Sequence, residues 1–331
     1  MASLTSFGND LYTGKRSFNF VGTRKVSFAV AIALVVLSLL VPLVKGGFNF
    51  SIEFTGGSQF TVTGVSELNE NTGLETIADT VPEANARVTT IGDQGIRLQT
   101  DQLNDNDSKR VSAALAEAYG VEARDVTSSY IGASWGGDIT KQALLSLVIF
   151  LGLTFIVMAL YFRTWKMSAA AMIALLDVLV ITLGVYAVSG FEVSPATVIG
   201  FLTILGYSLY DTVVVFDKIR ENTAEESSRT FAESVNLAVN QTLVRSINTS
   251  VVAALPVAAI LIMGSFTLGS ETLMDISLSL LVGILVATYS TIFVAAPLYS
   301  MFREKEPEIA ARDAQVLAAR AKAADAHSDT P

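Results

Sequence analysis

The sequence predicts a membrane all-α bundle of six helices that carries one small α+β domain outside the membrane. Hydrophobic residues make up 51% of the chain and charged residues only 16%, whereas soluble domains carry about 25% charged residues. Six apolar runs reach the roughly 20 residues with which an α-helix crosses a bilayer. One long polar segment, residues 45–138, lies between the first and second of these runs.

The six apolar runs set the predicted spans. These lie at about 26–44, 141–162, 168–188, 195–217, 247–268 and 273–300. The first run could be mistaken for a signal peptide, but it is long and has no convincing small-residue cleavage site. We therefore interpret it as an uncleaved anchor.

Lysine and arginine are distributed unevenly among the loops. They concentrate at both ends of the chain and between spans two and three and spans four and five. In the short turns between spans three and four and between five and six, the charged residues are acidic, namely Glu192 and Glu271. Positive residues mark the cytoplasmic side, so both termini are predicted to be cytoplasmic.

Three segments outside the spans are assigned on this basis. Residues 1–25 are a predicted cytoplasmic segment, and the tail 304–331 is predicted to be disordered. Residues 223–243 are predicted to form a cytoplasmic amphipathic helix. This helix either lies along the membrane interface or is a solvated connector that packs on the bundle.

The polar segment 45–138 carries 14 acidic and 6 basic residues, which is compatible with export because long loops cross largely regardless of charge. Hydrophobic periodicity predicts four strands and two helices in the order β-α-β-β-α-β. The strands lie at 58–63, 87–91, 95–99 and 122–131, and the helices at 66–80 and about 105–120. This order favours a ferredoxin-like domain with a hairpin turn at 92–94, and the alternative is an irregular loop.

A carboxylate, Asp211, interrupts the fourth apolar run. It lies about 7 residues before the end of the span, roughly 10 Å deep at 1.5 Å per residue. A charge in the hydrocarbon region costs roughly 2.5–3.5 kcal/mol, so a retained one indicates a proton or ion site. Tyr207 and Ser208 share its helix face and could donate hydrogen bonds to it. The alternative is a structural carboxylate bonded to a neighbouring helix.

Other ionisable residues in the spans complete the candidate site. Arg245 opens the fifth span and is the predicted counter-charge, with Thr242 and Thr249 on its helix face. The alternative is an anchor whose guanidinium reaches the lipid headgroups. Asp177, inside the third span, either joins a relay or makes a structural hydrogen bond. Asp217, at the end of the fourth span, is predicted to pair with the cations beside it.

The sequence lacks the residues that several classes of chemistry require. The chain has no cysteine, and its one histidine, His327, lies in the tail. It also has no Gly-rich loop ending in Gly-Lys-Ser/Thr, no HExxH pattern and no Gly-x-Ser-x-Gly elbow. We therefore predict no enzyme activity, no cofactor, no metal site and no nucleic-acid partner. Any work must be driven by an ion gradient or by another subunit.

Four longer motifs resemble the SecD/SecF family of the bacterial Sec protein translocase. Residues 47–57, Gly-Phe-Asn-Phe-Ser-Ile-Glu-Phe-Thr-Gly-Gly, resemble the signature that follows the first helix of these proteins. Residues 206–222 and 240–250 resemble the fourth- and fifth-helix motifs of the SecF branch, and residues 131–138 correspond to the segment that enters span two. The resemblance covers roughly residues 15–303.

The resemblance implies a plasma-membrane protein whose bundle is half of a resistance-nodulation-division fold. It implies SecD as partner, the SecYEG channel, a translocating polypeptide and the lipid bilayer as surroundings, and a proton or sodium gradient as energy source. By motif position, Asp211 and Arg245 are the ion-coupling residues. The signature residues are Asn49, Glu53, Phe54, Thr55, Gly56 and Gly57.

The chain departs from the family pattern at three positions. Tyr210 stands where the family often has asparagine, which could alter hydration or hydrogen bonding of Asp211. Leu176 stands where a histidine often precedes Asp177, which removes a His–Asp relay. Glu53 replaces an aspartate and keeps its charge.

Two other functions compete with an export subunit. A small-molecule or lipid exporter of the resistance-nodulation-division type usually has two six-helix halves and much larger external loops. A non-conducting scaffold that only stabilises SecD would tolerate replacement of both Asp211 and Arg245.

Overall fold

The computed structural model describes residues 2–91, 95–224, 228–264 and 271–328. Within these ranges, long helices form a bundle and a four-stranded sheet lies at one end of it. The elements in chain order are α1 (Ala2–Tyr12), α2 (Arg24–Lys45), α3 (Ile52–Thr55), β1 (Gly57–Thr63), α4 (Glu70–Thr80), β2 (Ala86–Ile91), β3 (Gly95–Thr100), α5 (Asp105–Tyr119), β4 (Val126–Ile131), α6 (Ala133–Phe162), α7 (Trp165–Ser189), α8 (Pro195–Ala224), α9 (Phe231–Met263), α10 (Glu271–Ser290), α11 (Ala296–Arg303) and α12 (Pro307–Ser328).

Six helices of the described chain are long and apolar enough to cross a membrane. They are α2, α6, α7, α8, α9 and a rod, Thr272–Arg303, in which a π-helical turn at Thr291–Ala295 joins α10 to α11. Of the six, α7 is the most buried, because α2, α6, α8 and α10 all pack on it. Its small residues Ala170, Ala171 and Ala174 let these neighbours approach closely.

The sheet is antiparallel, with the strand order β2-β3-β1-β4. Phe60 of β1 lies opposite Leu98 of β3 and Ser128 of β4, and it is fully buried. The helices α4 and α5 cover this face with Ile77, Val111 and Leu115, among others. The sheet domain, defined here as β1–β4 with α4 and α5, therefore has its own apolar core.

The order of strands and helices predicted for the segment is the order found, but some starts differ. The first helix begins at Glu70 rather than at 66, because the Asn69 side chain caps it by accepting the Asn71 N–H at 3.0 Å. The last strand begins at Val126, since residues 123–125 form a 3₁₀ turn closed by a capping box. The predicted hairpin turn at 92–94 lies outside the described residues.

The predicted separate helix at 223–243 is wrong. Instead α8 continues to Ala224, and α9 runs without a break from Phe231 to Met263. A capping box between Thr230 and Glu233 sets its start. The apolar side of its first turns is buried, which agrees with a segment that packs on the bundle.

The predicted disorder of the tail is also wrong for the described residues, since α12 is helical and docked. Its alanine-rich sequence has high helix propensity. The Arg320 guanidinium donates to the Ser228 carbonyl and the Glu233 carboxylate, and Asp313 accepts the Phe231 N–H at 2.9 Å. The tail therefore caps the start of α9.

An ion cluster leads into this tail. Glu306 pairs with Arg303 at 2.9 Å and with Lys166 at 2.8 Å. The Arg303 guanidinium, helped by Lys166, holds the pKa of the Glu306 carboxyl below its usual range. The cluster therefore stays charged near neutral pH and fixes the point where α12 leaves the bundle.

Replacing Arg320 with alanine is expected to release α12. The change removes the bonds to Ser228 and Glu233, so amide hydrogen exchange in α12 should become several-fold faster while exchange in α7 stays unchanged. Lys322→Ala, at an exposed position of the same helix, is the matched control. Equal exchange in the two variants would show that α12 is held in another way.

Candidate ion-coupling site

Asp211 lies on α8, facing α9, and is only 6% exposed. Its Oδ1 accepts a hydrogen bond of 2.8 Å from the Ser246 hydroxyl of α9. Its Oδ2 is buried and has no hydrogen-bond partner among the described residues. A buried carboxylate that is only half satisfied is costly, and binding a proton or cation at Oδ2 relieves that cost.

The two predicted supports of Asp211 do not bond to it. Tyr207 and Ser208 lie on the same helix, but neither hydroxyl donates to the carboxylate. The donor is Ser246, which was not among the predicted supports. Its position next to Arg245 in the fifth-helix motif pointed to a role near the site. Only the register between α8 and α9 shows that its hydroxyl reaches Asp211.

Arg245 is not paired with Asp211 in this conformation. Among the described residues, no ion pair within 4.0 Å joins the two side chains. The Arg245 guanidinium instead donates to the Tyr210 hydroxyl at 3.3 Å, and both side chains are exposed. Tyr210, which departs from the family pattern, therefore holds the arginine on the outer surface of the bundle.

The two threonines predicted to support Arg245 instead make hydrogen bonds within α9. The Thr242 hydroxyl donates to the Ala238 carbonyl at 2.9 Å, and the Thr249 hydroxyl donates to the Arg245 carbonyl at 2.8 Å. Such bonds within one helix often bend it. Both threonine hydroxyls donate to backbone carbonyls of α9, whereas the guanidinium bonds to Tyr210.

Asp177 is a second buried carboxylate, 7% exposed, on α7. The Ser290 hydroxyl donates to its Oδ2 at 2.9 Å and contacts the Ala174 carbonyl at 3.1 Å. Ser290 directly precedes the π-helical turn, a feature that is frequent at functional sites.

Asp177 and Asp211 lie at different helix–helix contacts, but a hydrogen bond between residues next to these two contacts connects them. Thr212 follows Asp211, Thr291 follows Ser290, and the two threonine hydroxyls are 3.0 Å apart in the buried interior. A shift of α10 at its π turn would therefore be felt beside both Asp177 and Asp211. Sequence spacing could predict neither the contact between Ser290 and Asp177 nor the one between Thr212 and Thr291.

Asp217 does not make the predicted pairs with its neighbouring cations. It accepts a 3.0 Å hydrogen bond from the Tyr161 hydroxyl of α6, while Lys218 pairs with Glu221 at 2.6 Å. Successive helix residues point in different directions, so a carboxylate and the next lysine rarely meet.

The signature residues join the sheet domain to the bundle. The Asn49 amide donates to the Gly190 carbonyl at 2.7 Å, and the Val193 N–H donates to the Asn49 carbonyl at 2.7 Å. The Thr55 hydroxyl bonds locally, to the Ser51 carbonyl at 3.2 Å and the Gly56 carbonyl at 3.0 Å, and Glu53 is half-buried.

The glycine pair of the signature allows a close approach. Gly56 and Gly57 have φ angles of 74° and 134°, which favour glycine. A Cβ on Gly57 would lie 2.4 Å from the Thr100 carbonyl, and one on Gly56 would lie 2.7 Å from the Ala133 Cα. The signature thus packs the chain that enters the sheet domain against the chain that leaves it.

The arrangement suits reversible binding of a small cation. Within the described ranges, no group of three or more His, Cys, Asp or Glu side chains could hold a metal ion. One oxygen of Asp211 accepts the Ser246 hydrogen bond and the other is open, and the Arg245 guanidinium lies on the adjoining helix, bonded to Tyr210. Such a site can bind a proton and release it when the arginine approaches.

Comparison with known families and proteins identifies relatives of the chain. The family model described as protein export membrane protein SecD/SecF, C-terminal, matches residues 111–305, and the SecD/SecF GG motif matches residues 43–63. The chain is 42% identical to protein translocase subunit SecF of Streptomyces coelicolor, over 98% of the chain and 87% of the relative. It is 38% identical to the same subunit of Mycobacterium tuberculosis, over 98% and 76%.

A solved structure resembles the chain as well. The crystal structure of SecDF, a translocon-associated membrane protein from Thermus thermophilus, aligns with a TM-score of 0.77 and 30% identity. The alignment covers 88% of this chain and 39% of that protein. The six long helices and the small antiparallel sheet are therefore arranged as in part of a larger relative.

Proposed function

The chain belongs to the SecD/SecF family of protein-export membrane proteins, and from this premise we propose that it is an auxiliary subunit of the Sec translocase that uses the proton or sodium gradient to promote polypeptide export. The observation that supports ion coupling is the Asp211 carboxylate, buried with one oxygen bonded to Ser246 and the other without a partner among the described residues. Because the relatives are named translocase subunits, we propose an accessory role rather than an enzymatic one.

In the proposed cycle, Asp211 and Arg245 have two arrangements. With a proton on Asp211, the carboxyl is neutral and Arg245 keeps its hydrogen bond to the Tyr210 hydroxyl. Loss of the proton leaves a negative charge that attracts the guanidinium, so Arg245 moves inward and α8 and α9 shift against each other. Moving one charge across the membrane supplies about 2.3 kcal/mol per 100 mV, which can drive such a shift.

SecD is the proposed partner. The bundle exposes a polar stripe on α8 and α9, made of Thr203, Gly206, Tyr210, Arg245 and Asn248. An arginine facing lipid inside the membrane is costly, so this stripe favours contact with another protein. The Thermus relative is named SecDF, and this chain spans 39% of it, which leaves room for a SecD part. We include the SecYEG channel and the exported polypeptide as further partners.

We further propose a plasma-membrane location with both termini in the cytoplasm, on the basis of the lysine and arginine distribution. The sheet domain then lies outside the membrane, where it can contact the emerging polypeptide. Its element order and the strand order β2-β3-β1-β4 support a ferredoxin-like class. The bundle is proposed as half of a resistance-nodulation-division fold.

The test measures export of a secretory protein into inverted membrane vesicles that carry the chain with SecD and SecYEG. We expect a protonophore to reduce export to the level of vesicles that lack the chain, because the gradient acts through Asp211. If a sodium ionophore has this effect instead, the coupling ion is sodium. Chain-dependent export that resists both ionophores would contradict ion coupling and favour the scaffold.

A further inference from the structure

We propose that an ion pair between Arg97 and Glu192 is the strut that transmits movement of α7 and α8 to the sheet domain, an inference that rests on the proposed ion-coupled function. Glu192 lies in the turn between α7 and α8. Its carboxylate accepts hydrogen bonds from the Arg97 guanidinium and from the Gln99 amide, both on β3.

The strut uses the face of the sheet that is turned away from the domain core. Arg97 and Gln99 are two residues apart, so they point to the same side of β3, whereas Ile96 and Leu98 point into the core. Gln99 also donates to the Gln59 side chain of β1 at 3.1 Å. A force on Glu192 therefore reaches two paired strands of the sheet.

The ion pair is shielded from solvent. The Arg97 and Glu192 side chains are 12% and 13% exposed, so water screens their attraction only weakly. Separating the pair would leave a poorly solvated charge on each side, and this cost makes the contact resist opening. An ion pair on an open surface would not couple two bodies in this way.

The turn joins the two helices that carry Asp177 and Asp211. Asp177 lies on α7 and Asp211 on α8, which is a continuous helix from Pro195 to Ala224. A continuous helix moves largely as a rigid element, so a shift at Asp211 displaces the turn at its other end. Glu192 is thus placed to pass the displacement on.

A second attachment prevents the turn from absorbing the movement. The Val193 N–H bonds to the Asn49 carbonyl at 2.7 Å, and the Ser51 N–H bonds to the Val193 carbonyl at 3.1 Å. These residues precede β1, so the turn is held both by the sheet face and by the segment that enters the sheet. Beside the pair lies a cavity of about 330 Å³, lined partly by Arg87, so the interface is not filled and the contact is concentrated at the pair.

The test exchanges the charges. In the vesicle assay, Arg97→Glu and Glu192→Arg should each lower gradient-dependent export about ten-fold, and the double exchange should restore it to within about two-fold, because the pair is re-formed in reverse. Lys109→Glu makes the same change of sign at an exposed position on α5, which covers the opposite face of the sheet, and should leave export unchanged. Glu192→Gln keeps the shape of the side chain and should give an intermediate loss.

A second readout separates a strut from a merely structural contact. Protease resistance of residues 45–138 should stay unchanged in Arg97→Glu while export falls, because a strut transmits movement and is not part of the apolar core on the other face of the sheet. Loss of protease resistance alongside the loss of export, full activity of both single variants, or failure of the double exchange to restore export would each overturn the proposal. If the unaltered chain itself shows no gradient dependence, the proposed function fails rather than the strut.

Discussion

Asp211→Asn is expected to reduce export in vesicles to the level seen without the chain, while the complex with SecD still assembles. Asparagine has nearly the shape of aspartate, and its amide oxygen can still accept the hydrogen bond from the Ser246 hydroxyl. It cannot bind or release a proton in the working pH range. Because the buried charge is lost and no group is enlarged, assembly should be retained.

The matched control is Asp217→Asn, which makes the same replacement on the same helix. Asp217 is half-buried and bonds to the Tyr161 hydroxyl, so its loss should leave gradient-dependent export nearly unchanged. Co-purification of SecD should be equal for both variants. Full gradient-dependent export by the Asp211 variant, or an equal loss in the Asp217 control, would rule out Asp211 as the ion carrier.

The departure from the family pattern at Tyr210 affects the position of Arg245. The observed bond from Arg245 to the Tyr210 hydroxyl keeps the arginine away from the carboxylate. This conformation corresponds to a protonated Asp211 in the proposed cycle, since a charged carboxylate close by would compete for the guanidinium. In the proposed cycle, the Tyr210 hydroxyl holds the guanidinium while Asp211 is protonated, a role that its position in the sequence did not reveal.

Hydropathy located the six spans because, inside a bilayer, a helix must satisfy all its backbone hydrogen bonds within one segment. The element order of the sheet domain followed from periodicity for a similar reason, since each strand buries alternate residues such as Phe60 and Val62. These features are local, and the sequence contains the information directly.

The features that were missed depend on contacts between distant parts of the chain. Ser246 reaches Asp211 from another helix, Arg320 docks the tail on Glu233, and Arg97 meets Glu192 across two parts of the fold. Each contact depends on the register between packed elements, which no local pattern of one sequence specifies. The buried position of Asp211 was predictable from its apolar neighbours, but the identity of its partner was not.

Gly136→Ala is expected to destabilise the junction between the sheet domain and the bundle. Gly136 is buried near the start of α6, where a Cβ would lie 2.6 Å from the Phe54 carbonyl oxygen and 3.0 Å from the Gly56 nitrogen. These are backbone atoms of the signature and cannot swing aside like a side chain. Overpacking of this kind typically costs about 1–3 kcal/mol, which exceeds the roughly 1 kcal/mol that alanine contributes over glycine in a helix.

Gly137 provides the matched control for the contact at Gly136. Gly137 lies on the same turn of α6, is exposed, and has no atom within 4 Å of a built Cβ. Gly137→Ala should therefore show only the gain in helix propensity and raise the unfolding temperature slightly, whereas Gly136→Ala should lower it. Protease resistance of residues 45–138 should fall only in the Gly136 variant. A shift of both variants in the same direction would mean that the signature does not depend on the close approach of α6, and that its glycines are needed for another reason.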